Sequence, residues 1–282
     1  MDIKKEWQVQ IVDILRNGYD FSIRDLAQLV NIPKSTVGDF VKKYREFKNG
    51  VAAKTTLVEH ENQRILFISD MHIPYHHPNL ISFLKYLKEK YKPTRVICLG
   101  DELDKHAMSF HDSDPDLGSA GDELLRSLPV IKEIEGIFPV MDIIDSNHGS
   151  MVHRKAKHHG IPRAYIKSYN EVLGVGPGWK WHNDLVLTLP NGEKVYVHHG
   201  KSAEAIKTSQ AMSMSHVCGH YHESFGVKYW ANPTGLFFAV NAGCLIDDSS
   251  YAFAYNNTNL KRPIIGTCLI VDNMPVMEAM KL

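Results

Sequence analysis

The sequence predicts an α/β protein carrying a small all-helical module at its front. Three observations lead there. Residues 1 to about 50 repeat apolar side chains at helical spacing. From Arg64 the pattern changes to short apolar runs, Ile65-Leu66-Phe67-Ile68 and Arg95-Val96-Ile97-Cys98-Leu99, with a helix-like stretch from Leu80 to Lys90 between them. Each run also stops at an island of metal-binding side chains. Strand, helix, strand in that order implies a buried, partly parallel sheet. In such folds ligands collect at the carboxyl ends of the strands.

Taken in order, Val9, Ile11, Val12, Ile14 and Leu15 give a first helix one apolar face, and Asn17-Gly18 ends it. Ser22 can cap a second helix through Ile23, Leu26, Ala27 and Val30. Asn31-Ile32-Pro33 reads as a tight turn, and Lys34-Ser35-Thr36 opens a third helix with Val37, Phe40 and Val41 inward. A small Ala27, a turn at Asn31 and an inward Val37 resemble a helix-turn-helix. Asn31 stands where glycine is usual, but asparagine also tolerates left-handed geometry. From Lys34 to Lys48 five Lys or Arg face two acids, a local charge of +3. One reading makes this a DNA-contacting helix presenting Lys34, Ser35, Thr36, Lys42, Lys43 and Arg45. The other makes it a helical module for packing or dimer formation.

The expected division is a helical module over 1–50, a linker over 51–63 and a catalytic domain over 64–282. Asn49 to Asn62 reads as linker or as a first strand. Val140 to Ile144 should be a strand ending at Asn147-His148. Leu185 to Leu189 and Lys194 to His198 flank Asn191-Gly192, a good hairpin turn. The stretch through Ile264-Ile265 and Thr267 to Val271 is strand-rich.

Bulk properties narrow the class. The 282 residues carry 32 Lys plus Arg and 32 Asp plus Glu, so no global charge draws the whole chain to nucleic acid or anionic membrane. The four cysteines, Cys98, Cys218, Cys244 and Cys268, form no Cys-x-x-Cys pair and suggest buried free thiols in a reducing cytoplasm. Met1 to Glu6 lacks the apolar stretch of a signal peptide, and no apolar run approaches the roughly 20 residues that span a bilayer. A cytoplasmic protein without membrane contact is the expectation.

The islands are Ser69-Asp70-Met71-His72, Gly100-Asp101-Glu102-Leu103-Asp104, Asn147-His148, His198-His199-Gly200 and Gly219-His220-Tyr221-His222. Carboxylate, imidazole and amide ligands together suit a pair of divalent metals. As an ordered set over roughly residues 64 to 282 they resemble the calcineurin-like metallophosphoesterase superfamily. The resemblance implies a four-layer α-β-β-α sandwich of two mixed sheets. It also implies two divalent ions, manganese first, with iron, zinc or nickel as alternatives. Asp70, His72 and His222 would hold one metal; Asn147, His199 and His220 the other; Asp101 would bridge them. His199 is favoured over His198 because the family's histidine directly precedes glycine, and Val195, Val197 and His199 share one strand face. His148 would face substrate and assist the leaving oxygen. Asp104 would support the site from behind.

Gly149 departs from the pattern, which places Asp or Glu after Asn-His. Asp145 or Asp104 would then have to orient His148. The leading functional reading is a phosphodiesterase or nuclease on DNA, helped by Arg154 and Lys155 in the basic stretch after His148. The alternatives are a phosphomonoesterase for phosphoproteins or small nucleotides, and a DNA-binding regulator with a weakly active phosphoesterase fold. A helix-turn-helix fused to such a domain resembles phage or prophage products, and a homo-oligomer is compatible with the sequence. The acidic stretch Asp112 to Asp116 would disfavour a polyanion if it faced the groove.

Overall fold

Strand β2 (Arg64–Ile68) sorts its side chains by parity. Ile65 and Phe67 enter one buried apolar cluster, Leu66 and Ile68 another. A strand apolar on both faces belongs between two layers, and the arrangement around it follows from that. In this computed structural model the described residues are 5–16, 22–42, 56–58, 63–109, 118–200, 202–250 and 262–281. They divide into two units: residues 1–55 with 152–168, and residues 56–151 with 169–282.

The larger unit holds two six-stranded mixed sheets. The first runs β12 (Met274–Ala279), β11 (Gly266–Val271), β2, β3 (Arg95–Cys98), β4 (Met141–Ile144) and β5 (Trp179–His182). Its β2, β3, β4 and β5 pair in parallel, so their carboxyl ends lie along one edge. The second runs β1 (Thr56–Val58), β6 (Leu185–Thr188), β7 (Lys194–Val197), β8 (Ser215–Cys218), β10 (Gly235–Ala242) and β9 (Phe225–Asn232). The β6–β7 pair is the antiparallel hairpin expected around Asn191-Gly192. Thr56–Val58, within the stretch read as linker or first strand, pairs in parallel with β6.

Between the sheets lie Phe67, Ile97, Leu187, Val195, Val217, Val240 and Ile270. On the outer face of the first sheet Leu66, Ile68 and Val96 meet Leu80, Leu84 and Leu87 of helix α4 (Leu80–Tyr91) and Ile131 and Ile134 of α5 (Ala120–Ile137). On the outer face of the second, Cys218 and Ala239 meet Ala205 of α8 (Ala205–Met212). Helix, sheet, sheet, helix is the four-layer sandwich. All four cysteines are free and buried. Among the described residues no helix is long and apolar enough to cross a membrane.

The smaller unit contains helices α1 (Glu6–Arg16), α2 (Ile23–Leu29) and α3 (34–42). Ser22 caps α2 in a capping box, its side chain accepting from Asp25 N while Asp25 accepts from Ser22 N at 3.1 Å. Asn31 takes a left-handed φ of 51° and turns the chain into α3. Ile11, Leu26, Ala27, Val37, Phe40 and Val41 form the core of these helices. Lys34, Ser35, Thr36 and Lys42 are exposed, whereas Lys43 and Arg45 lie outside the described residues. Helix α6 (Met151–His158) closes at Gly160, whose φ is +70°, and Ile161 N bonds back to Ala156 O at 2.8 Å.

Candidate metal centre

Five strand ends deliver the islands to one place. Asp70 and His72 follow β2, Asp101 follows β3, Asn147 and His148 follow β4, His199 follows β7, and His220 and His222 follow β8. Asp70, His72, Asp101 and His220 all have positive φ, between 47° and 72°. Asp and His adopt this region more readily than most residues, yet four instances at one site mark a backbone bent for side-chain placement. Gly100 allows one of the bends. Its φ is +102°, and a Cβ there would lie 2.6 Å from Ser146 Cβ and 2.8 Å from Ile144 O.

The potential ligand atoms form groups that share members. Asp70, His72 and His222 converge in one, Asp101, His199 and His220 in another, and His72, Asp101 and His148 in a third, with the ligand atoms of each within 4.8 Å of one another. Asp101 Oδ2 lies 3.5 Å from His72 Nε2 and 3.2 Å from His199 Nε2, between the first two groups. Asn147 Oδ1 is 2.7 Å from His199 Nε2, which in turn is 3.1 Å from His220 Nδ1. All seven residues expected as ligands therefore come together.

Asp70 shows how well this cradle fits a cation. Its Oδ2 accepts from Ser69 Oγ and from His220 N. Its Oδ1 is buried with no hydrogen-bond partner among the described residues, and faces His222 Nε2 at 3.4 Å and His72 Nε2 at 3.9 Å. One oxygen is tethered by the protein and the other is aimed at a ring of nitrogen ligands. A buried polar atom left in that position is costly unless something charged meets it. Two carboxylates, four imidazoles and an amide oxygen suit borderline divalent ions such as manganese, iron or zinc.

Charge is already organised around the site. Burial works to raise the carboxyl pKa values of Asp70 and Asp101, but the histidines outweigh it and hold both below the usual range. Burial lowers His199, yet the Asp101 carboxylate more than reverses this and raises it to about 9. His148 moves down because burial dominates the pull of Asp101.

Asp104 Oδ1 sits 2.6 Å from His72 Nδ1 and so orients that imidazole from behind. His148 Nδ1 contacts the main-chain carbonyl of Asp104, with the Asp104 carboxylate farther off at 3.8 Å. Asp104, through its backbone, is thus the group that orients His148. Asp145 does not fill that role. Its Oδ1 accepts from Ser146 N at 3.0 Å and from Tyr169 Oη at 3.1 Å. His198 accepts from Gly200 N at 3.0 Å and stacks on Tyr196, away from the ligand cluster, while His199 points into it. His216, read as packed, is buried with Nδ1 on Tyr196 O. Phe110, His111 and the acidic stretch 112–116 lie outside the described residues. Arg154 and Lys155 belong to the smaller unit.

Three contributors escaped sequence reasoning. Ser146 Oγ accepts from Asp101 N at 3.0 Å and from Gly149 N at 2.9 Å, tying two ligand loops together. Ser69 secures Asp70. Lys105, only 7% exposed, donates to His148 O at 2.9 Å and Gly149 O at 2.8 Å and lies over the Tyr169 ring at 5.6 Å. Burial pulls its pKa below the ordinary lysine value against the opposing charge of Glu102. A Cβ at 149 would lie 2.8 Å from Asp145 Oδ1 and 3.0 Å from Ser146 Oγ, so a side chain at this position would displace the Asp145 carboxylate. The loop is held through its carbonyls. A lysine directly after Asp104 was the only available signal, and nothing in the spacing separates it from a surface lysine.

No protein-family model matches the chain, and no curated protein matches it significantly. Among solved structures it is similar to vacuolar protein sorting 29 from Cryptosporidium parvum, at 16% identity and a TM-score of 0.39, covering 78% of this chain and 98% of that one. It is also similar to YfcE, a phosphoesterase from E. coli, at 12% identity and a TM-score of 0.42, covering 77% and 93%. Vps29 complexed with zinc from Entamoeba histolytica gives 13% identity and a TM-score of 0.37, covering 77% and 98%. Values this low carry neither function nor fold. The fold rests on the strand order and register above.

Asp101→Asn removes the charge between the two ligand groups. Elemental analysis after dialysis against manganese should find fewer than two ions per chain in the variant, against two in the wild type. Full loading of the variant would remove Asp101 from the bridging position.

Proposed function

We propose that this chain is a dinuclear-metal-dependent phosphoesterase, and specifically a phosphodiesterase or nuclease acting on DNA. The observation that carries the chemistry is Asp101 Oδ2 standing 3.5 Å from His72 Nε2 and 3.2 Å from His199 Nε2, between two clusters of potential ligands. One carboxylate shared by two groups is what a pair of dications roughly 3.5–4 Å apart requires, since an anion between them screens their repulsion. Asp70, His72 and His222 would hold one ion, and Asn147, His199 and His220 the other. When bound, such a pair supplies Lewis acidity for lowering the pKa of water and for neutralising phosphoryl charge.

The rest falls to the chain's own residues. A carbonyl only accepts, so His148 carries its proton on Nδ1, against Asp104 O. Burial favours the neutral ring, which leaves Nε2 as the basic nitrogen. That atom can take a proton as water attacks and return it to the leaving oxygen. Lys105 and Ser146 keep the 146–149 loop in register with Asp101.

The DNA half of the proposal is supported by the smaller unit. Its α2–turn–α3 arrangement, with buried Ala27 and Val37 around left-handed Asn31, has the features of a helix-turn-helix. Lys34, Ser35, Thr36 and Lys42 are exposed on α3, where a recognition helix presents its contacts. Residues 152–168 of the same unit add further basic side chains, Arg154 and Lys155 included.

Turnover of bis-p-nitrophenyl phosphate exceeding that of p-nitrophenyl phosphate, both abolished by chelation and restored by manganese, is the expected result. Faster monoester turnover would favour a phosphatase, and no turnover of either would overturn the enzyme reading. His148→Asn should keep both metals while turnover falls by roughly 10²–10⁴, the range for losing a general acid or base. Loss of a metal would make His148 a ligand. Lys105→Met should also keep both metals and lower turnover by about 10- to 100-fold through misplacement of His148. Unchanged turnover would reduce Lys105 to a structural residue.

A further inference from the structure

Between Met151 and Ser168 the chain carries five Lys or Arg, three His and no Asp or Glu, in a protein whose charges balance overall at 32 each. The first part of this segment is helix α6, with Met151 buried, Val152 and Ala156 half-buried, and Arg154, Lys157 and His158 exposed. Beyond Gly160 almost every side chain is exposed. There Arg163–Tyr165 form a single 3-10 turn, fixed by Tyr165 N to Pro162 O and Ile166 N to Arg163 O, both at 3.0 Å. Tyr165 is 83% exposed. It stands two residues from Arg163 on one side and two from Lys167 on the other.

An exposed aromatic ring on a hydrogen-bonded turn, with a cation two residues away on each side, offers a stacking platform and phosphate contacts, the combination used to bind single-stranded nucleic acid. Duplex bases are already stacked and would not reach it. A lipid surface fits less well, because membrane-surface segments need a broad apolar face. Here the exposed apolar side chains, Ile161, Pro162, Ala164 and Tyr165, make only a short patch on the turn, and Met151, Val152 and Ala156 of α6 are buried or half-buried. We propose that residues 157–167 form a binding surface for single-stranded nucleic acid, with Tyr165 stacking on a base and Arg163 and Lys167 on the adjoining phosphates. This rests on the phosphodiesterase reading for its choice of DNA, and it narrows the substrate to unpaired strands.

The test titrates full-length protein into labelled oligothymidylate across a range of salt concentrations. Tyr165→Ala should weaken binding by about tenfold, the loss of one stacked base, with the salt dependence unchanged. Tyr165→Phe should bind like the wild type. Arg163→Gln with Lys167→Gln should flatten the slope of log affinity against log salt by about 1.4, at about 0.7 per phosphate contact. Wild-type affinity in Tyr165→Ala, or an unchanged slope in the double variant, would overturn the proposal. So would Tyr165→Ala weakening the binding of a duplex of the same length as much as that of the single strand, or phosphatidylserine vesicles displacing the oligonucleotide. Hydrolysis of bis-p-nitrophenyl phosphate by the wild type is scored separately. Its absence would defeat the phosphodiesterase reading and leave the binding result standing.

Discussion

Asp70 and Asp101 are carboxylates with almost no exposure to water, placed where parallel strands stop, and Glu102 and Asp104 are buried beside them. Ionised groups withdrawn from water cost several kcal/mol each unless opposite charge meets them. His72, His199, His220 and His222 surround the pair, and their nitrogens face the carboxylate oxygens and one another. Protons satisfy such a cluster only in part. The proposed dications would meet both carboxylates, and they would compete with those protons for the same atoms. This electrostatic demand accounts for the rest of the site: the positive-φ bends, the tethering of one Asp70 oxygen, and the support given by Ser146, Asp104 and Lys105.

The sheet makes that concentration of charge possible. β2, β3 and β4 are apolar on both faces and parallel, so the ligands appear together at one end without entering either apolar core. The second sheet brings His199, His220 and His222 to the same edge from β7 and β8, themselves parallel. Five chain segments far apart in sequence meet there, and none of them crosses the hydrophobic layers.

This explains what the sequence made legible. Each candidate ligand stands within a few residues of the end of a buried strand, so an apolar run followed by Asp, Asn or His marks both the element and its chemistry. The choice of His199 over His198 rested on the resemblance, whose histidine directly precedes glycine, and the alternation agrees with it, since Val195 and Val197 are buried between the sheets. Less visible were β5, whose Trp179-Lys180-Trp181-His182 has little apolar run, and the β9–β10 pair, largely exposed along β9. Helix α5 was hidden by Pro129 within it. Lys105, Ser69 and Ser146 act through contacts that local spacing does not encode. The orientation of His148 by the Asp104 carbonyl, with Lys105 holding the loop through the carbonyls of His148 and Gly149, is a three-dimensional solution with no linear signature.

The most direct test of the shared-carboxylate centre is anomalous diffraction from crystals of the wild-type protein grown with manganese. Two peaks roughly 3.5–4 Å apart, with Asp101 Oδ2 between them, are the expected result. One should be bound by Asp70, His72 and His222 and the other by Asn147, His199 and His220. A single peak, or two that do not share Asp101, would contradict the account.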